Sequence, residues 1–426
     1  MVKRDRNHPS IIMWSIGNEV PERTGSSDGY AWAKKQTDYI RSLDNTRLLT
    51  ASSPLIFEAI LPLLAKFGFE KMFDLLTGEE PDPQKDLFGT LTEPFFRSLD
   101  VAGYNYLFKR YETDGKKFPR RVIAGTETFP HQAYLFWDAT RRLPYVIGDF
   151  VWTAIDYMGE AGAGQVTYDG TMPFPSTAPY PYHLANCGDF DICGFKRPQS
   201  YYRDILWGVC TAPWIGVLDP QHYGKKMSFN PWGWEPVIDS WTFPGWEGKP
   251  TQVDVYSADD EVELLINGVS VGRKPTGVAS QNKAVFEVTY QPGTIEAVGY
   301  SNGKEIGRTM LKTASEPVSL RLTPDRPVIH AESGDLAYVT VEVVDRDGNV
   351  VKHAEPAVSF GIAGPGELIA VGTANPISEE LYVGSQRKAF QGRLIAVVRS
   401  TGQAGKIVLK AQADGLAASE MRLQAK

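Results

Sequence analysis

Cysteine is scarce in this chain. Its three residues, Cys187, Cys193 and Cys210, make an odd count, and their spacings fit no zinc or redox pattern. They read as buried thiols, with a Cys187–Cys193 bridge open in an oxidising compartment. Long apolar runs are also missing: no stretch of about 18 apolar residues occurs, so the sequence offers no membrane span. Positive charge is in deficit, with 44 Lys and Arg against 51 Asp and Glu and a net charge of −7. Nucleic acid is thereby excluded as a partner, because a phosphate backbone needs a basic patch.

What is present is aromatic and strand-rich. Aromatic residues make up 12% of the 426, ten of them Trp, which suits both cores and the flat faces of sugars. The first half alternates strand-like apolar runs with helical patterns. Ile11 to Ile16 is a nearly unbroken apolar run closing on Gly17-Asn18-Glu19, as in a strand buried on both faces. Ser26-Ser27-Asp28 is a helix cap for Tyr30 to Leu43, with Trp32, Tyr39, Ile40 and Leu43 on one face. Further strands are expected at 47–51, 99–104, 121–125 and 145–152. A helical pattern is expected from Ile56 to Leu76, a polar loop around Glu79 to Lys85, and a helix from Gln132 to Arg142. Strands alternating with helices mean a parallel α/β structure, and five of them fit part of a (β/α)8 TIM barrel, whose chemistry sits at the C-terminal strand ends.

After Trp207 helical periodicity disappears. Alternating strands with turn signals, Asn267-Gly268 strongest among them, read as two immunoglobulin-like β-sandwiches of about 100 residues each. The expected division is 1–212 for the barrel part, 213–314 and 315–426 for the sandwiches. No catalytic residue is expected in the last two, though Trp232, Trp234 and Trp246 are candidates for holding sugar polymers.

Two carboxyls at the ends of different parallel strands suit glycoside hydrolysis, which with retention needs them about 5–5.5 Å apart. Glu19 and Glu127 are that pair here. Asn7 to Glu19 (NHPSIIMWSIGNE) closely resembles the acid/base motif of glycoside hydrolase family 2, on barrel strand four. Thr126-Glu127 is similar to the family's nucleophile segment on strand seven, and Gly148 to Tyr157 to its strand eight. The resemblance implies a β-galactosidase-like enzyme with Glu19 as acid/base, Glu127 as nucleophile, Asn18 on the sugar 2-hydroxyl and Trp152 as the floor of the sugar site. Tyr106 would tune the nucleophile, with Tyr104 as its competitor. Asp189 borders the sugar or caps a loop, and Asp149 and His8 read as structural.

No cofactor and no metal is implied, and the only partner implied by the chemistry is a carbohydrate substrate. Galactose is favoured because glucuronidases of the family carry an Asn-x-Lys pair where Gly188-Asp189-Phe190-Asp191 stands, and extra anions repel a uronate; a mannoside stays open. The strand bearing Glu19 comes first here but fourth in the family. The resemblance therefore implies a fragment, a mis-started protein or half of a two-chain enzyme. Such a chain would self-associate or take a partner chain through its open strand edges. The competing reading is a carbohydrate-binding or scaffolding remnant. By resemblance alone, an exported bacterial enzyme is favoured over a cytoplasmic one.

Overall fold

The computed structural model describes residues 1–20, 27–53, 86–173, 177–332 and 334–426. The helical pattern from Ile56 to Leu76, the loop around Glu79 to Lys85, and Ser26 of the helix cap lie outside the described residues. Two compact units emerge, Met1–Thr153 and Ala154–Lys426.

The first unit is built on five strands: β1 (Met13–Asn18), β2 (Leu48–Ser53), β3 (Val101–Asn105), β4 (Val122–Thr128) and β5 (Val146–Val151). They pair in that order and all run parallel. Parallel neighbours need crossovers. These contain α1 (Ser27–Leu43), α2 (Leu87–Phe96), α3 (Arg110–Lys117) and α4 (Ala133–Arg142). The central strand β3 is buried at every position, as its unbroken non-charged run requires. A Cβ on Gly103 would come within 2.6 Å of the Ala51 carbonyl oxygen, so the close approach of β2 and β3 depends on glycine there. Ala51, Ala102, Tyr104 and Ile123 from the strands pack with Phe95, Phe96, Phe136 and Ala139 from the helices. Among the described residues β1 and β5 are open edges.

Two helices depart from expectation. In α1 the expected face divides: Ile40 and Leu43 pack against Val2, Trp14 and Leu49, but Trp32 and Tyr39 are 58% and 60% exposed. The buried stripe is Gly29, Ala33 and Thr37, an i, i+4 series of small residues that lets the helix lie close to the sheet. Helix α3 was not foreseen, because it buries charge. Arg110 and Asp114 are nearly inaccessible and bond at 2.6 Å, with Arg110 also paired to Asp86 at 2.9 Å. Asp86 in turn caps α2 through the Gly89 amide.

In the second unit, residues 154–212 hold short bridges and α5 (Pro198–Leu206). They are tied to the strands that follow by the Tyr202 hydroxyl, which donates to the Gln281 carbonyl at 2.6 Å. Two pairs of sheets come next. The first pair encloses Ile215, Val217, Val253 and Phe286 from one sheet and Val262, Leu264, Ile295 and Ala297 from the other. Burial alternates with period two along Glu261–Ile266 and Lys283–Thr289. Asn267 and Gly268 take φ of 51° and 78°, the positive values a two-residue type I′ hairpin turn needs. The second pair encloses Val339, Val341, Leu394 and Ala396 against Val358, Ile407, Leu409 and Leu423. Between the pairs, the Ala314 amide donates to Thr242 Oγ1 and the Ser315 amide to Asp345 Oδ2, both at 2.9 Å. Lys352 of the second pair is paired with Asp239 of the first.

Trp234 is not a sugar platform. It is 6% exposed and its indole N–H donates to Tyr256 Oη at 3.0 Å, inside an aromatic cluster with Tyr202. All three cysteines are free; Cys187 is buried, Cys193 half-buried, and Cys210 exposed rather than buried as expected. Burial pushes the Cys187 thiol up to about 12, so it is an inert core group.

Candidate active site

The candidate residues of the first unit gather at the C-terminal ends of β1, β3, β4 and β5. Each strand arrives there as a regular ladder and then breaks. Pairing of β1 with β2 shifts register between Ser15 and Asn18. Glu19 follows with φ 44°, its amide donating to the Ser52 carbonyl at 3.3 Å. Pairing of β3 with β4 shifts between Gly103 and Asn105, and Tyr106 follows with φ 61°. Positive φ is costly for residues with a Cβ, of order 1–3 kcal/mol each, and such strain clusters at functional sites. Here a tight bond fixes it, since the Tyr106 amide donates to the Glu127 carbonyl at 2.7 Å.

The side chains form one network. Tyr106 Oη donates to Glu127 Oε2 at 2.7 Å, and its ring stacks on Phe129 at 4.1 Å. Asn105 Nδ2 donates to Glu19 Oε1 at 2.9 Å and to Asn18 Oδ1 at 3.1 Å. Thr126 Oγ1 donates to Asn105 Oδ1 at 2.7 Å. The amides of Asn18 and Asn105 lie close enough to Glu127 to favour its anion. Burial, and behind it the charge of Glu19, push the Glu127 carboxyl up to about 7, against the Tyr106 hydroxyl and those two amides, which favour its anion. Trp152 is half-buried just beyond β5, its amide bonded to the Thr128 carbonyl at 3.0 Å. Asp149 braces the same corner by accepting from Thr128 Oγ1 at 3.1 Å.

Tyr104 is placed elsewhere. It is fully buried, bonded to Asp114 and, at 2.8 Å, to Arg121. His8 is exposed. Asp189 belongs to the second unit, buried and paired with Arg203 at 2.8 Å, while Asp191 accepts from the Cys193 and Phe195 amides at 2.8 and 3.0 Å. Asn105 and Thr126 were not singled out as site residues from sequence. The one signal was position, since each sits beside a residue that was.

Two carboxyls at the ends of parallel strands of one sheet, each held by a hydrogen bond, are the equipment of a glycoside hydrolase. Comparison with known proteins agrees. Residues 1–72 match the TIM barrel domain of glycosyl hydrolases family 2, and residues 320–422 match the C-terminal domain 5 of glycoside hydrolase family 2. Residues 248–307 match a domain of unknown function. A β-galactosidase of Bacteroides ovatus is 29% identical over all of this chain and 50% of its own length. A putative β-glucuronidase of Formosa agariphila is 28% identical over 94% of this chain and 37% of its own. A family 2 member of known structure from Bacteroides cellulosilyticus superposes with a TM-score of 0.82 at 36% identity, covering 100% of this chain and 51% of its own. The chain belongs to glycoside hydrolase family 2, and its parallel sheet is part of that family's barrel. It spans about half the length of the relatives it matches most fully.

Proposed function

We propose that this chain carries the hydrolytic centre of a retaining exo-β-glycosidase, with a terminal β-galactoside as first-choice substrate. The observation that carries the reading is Asn105, whose side-chain amide donates to Glu19 Oε1 at 2.9 Å while its backbone stands opposite Glu127 in the β3–β4 ladder. The two glutamates are thus held beside one residue at the strand ends, where a retaining pair, with its carboxyls about 5–5.5 Å apart, has to stand.

The chemistry runs in two displacements. A Glu127 oxygen attacks the anomeric carbon as the bond to the aglycone oxygen breaks, and Glu19 gives its proton to that oxygen. Glu19 then takes a proton from water, whose oxygen attacks the anomeric carbon and frees Glu127. Tyr106 holds the nucleophile by its hydroxyl throughout. Asn18 serves the 2-hydroxyl and Trp152 the sugar face.

Relatives bearing both galactosidase and glucuronidase names surround the chain. The argument against a glucuronide weakens, because Asp189 and Asp191 are both engaged inside the second unit. Glucuronide and mannoside therefore remain arms of the test. The domain division 1–212, 213–314 and 315–426 belongs to this proposal, supported by the two sheet pairs, which read as immunoglobulin-like sandwiches. Exposed Ile12, Ile147 and Phe150 near the outer strands support pairing of those edges with another copy or a partner chain.

The test is covalent trapping. Incubation with 2-deoxy-2-fluoro galactosyl, glucuronyl and mannosyl fluorides should leave one sugar on the Glu127 peptide by mass spectrometry. An adduct on another carboxylate would remove Glu127 from its role.

The pair also sets a pH limit. Close carboxyls titrate jointly, and we assign the value near 7 at Glu127, raised by burial and then by the Glu19 charge, to the last proton that the pair shares. Below it the pair keeps one proton and one charge, which the mechanism needs; above it both are anions and no acid remains. The expected kcat/KM profile therefore declines as pH rises through about 7. In Glu19→Gln the charge is gone and the Glu127 titration should move down. A profile flat to pH 9 would contradict the shared proton.

A further inference from the structure

Asn105 is fully buried, yet it packs no apolar core, and its whole amide is spent on the site. The orientation of an amide follows from its partners. Asn18 Oδ1 can only accept, so the NH2 end must face it and with it Glu19 Oε1, and the Thr126 hydroxyl meets the other end. Turned over, the buried amide would set its oxygen against the Asn18 oxygen. Thr126 keeps it from turning by donating to Oδ1.

This orientation has a chemical result. A carboxyl oxygen that accepts an N–H bond is the carbonyl-like oxygen when the group is protonated, so the proton is left to the other one. We infer that Asn105, aimed by Thr126, is a positioning residue that assigns the proton of Glu19 to Oε2 and holds Asn18 with its amide nitrogen toward Glu127. The second half follows from the same bond: Asn18 Oδ1 is occupied by Asn105, which leaves the Asn18 NH2 as the end free to favour the Glu127 anion. Thr126 thus acts on the acid two links away, without touching the reacting atoms. The inference rests on the proposed roles of Glu19 and Glu127.

Three variants of the whole chain test it: Asn105→Asp, Thr126→Val and Thr126→Ser. The first keeps the shape and replaces a donor by an acceptor. The second keeps the shape and removes the hydroxyl, and the third restores it. Carboxyl-carbon NMR titration of glutamate-labelled protein reads the pair without turnover. In Asn105→Asp the upper titration should rise by about one pH unit or more, because a donor is lost and a carboxyl is added beside Glu19. Thr126→Val should shift it the same way by less, and Thr126→Ser should bring it back.

With a nitrophenyl glycoside, kcat should fall about 100-fold in Asn105→Asp and about 10-fold in Thr126→Val, with KM within about twofold. If Asn105→Asp does not fold, the two Thr126 variants decide. A Thr126→Val protein with wild-type titration and wild-type kcat would overturn the inference, as would a change in KM alone. If titrations shift as stated while the unaltered chain cleaves no glycoside, the relay stands and the proposed hydrolysis fails.

Discussion

Glu127→Gln should stop turnover of every glycoside the protein accepts, by about 10⁴-fold or more, while the fold is retained. The amide keeps the shape and still accepts from the Tyr106 hydroxyl, which bonds Oε2 at 2.7 Å. What it lacks is the anion that forms the glycosyl bond, and losing a nucleophile costs more than losing any one supporting group. Glu19→Gln should behave differently. Protonation of the leaving oxygen is worth about 10²–10⁴-fold, and only where the leaving group needs it. Alkyl glycosides should lose that much, whereas nitrophenyl glycosides should keep a fast first step and a slow second one. Azide, needing no general base, should restore the second step and yield a glycosyl azide. Steady-state and pre-steady-state rates on both substrate types check this. Equal losses on both in Glu19→Gln would exchange or cancel the assigned roles.

Asp114→Ala should give the largest loss of stability of any single change outside the apolar core, about 3–5 kcal/mol. Asp114 is fully buried under Arg110, which donates to it at 2.6 Å, and it also holds Arg121 and the Tyr104 hydroxyl. Removing it leaves a guanidinium with one carboxylate, Asp86, instead of two, and a buried phenol with one partner fewer. On a typical total of about 5–15 kcal/mol, such a loss would unfold the sheet under mild denaturant. Urea titration followed by fluorescence measures it. The exposed pair of Arg308 and Glu296, 3.0 Å apart, is the contrast, and Arg308→Ala should leave the midpoint unmoved. A midpoint equally unmoved by Asp114→Ala would show that the buried network contributes nothing net.

The five strands were legible as short, mostly apolar runs closing on polar residues; burial at every position, expected of the Ile11–Ile16 run, holds only for β3, while Ser15 of β1 and Ile147 and Phe150 of β5 are exposed. Their observed bounds differ from the expected ones by a few residues, as ladders broken at Asn18, Asn105 and Glu127 would cause. Helix α3 was illegible for the opposite reason. Its inward residues are Arg110, Tyr111 and Asp114, so hydropathy points the wrong way. In α1 the large aromatics masked the small-residue stripe that packs inward. At the site, the long motif ending in Asn18-Glu19 carried the reading. Asn105 escaped because a buried asparagine inside a strand has no sequence signature; its meaning lies in three partners supplied by two other strands. Trp234 was taken for a surface group, since nothing in sequence tells a sugar platform from a core indole whose N–H is satisfied.

The pinned junction at Ala314 and Ser315 bears on how the second unit comes apart. A connector between two domains is normally the place where a protease enters and a swivel begins. Here consecutive amides of the connector are bonded to opposite neighbours, Thr242 on one side and Asp345 on the other, and Lys352 reaches across to Asp239. Neither sheet pair can loosen without breaking bonds that belong to the other. The two are therefore expected to melt together, as one endotherm rather than two in calorimetry.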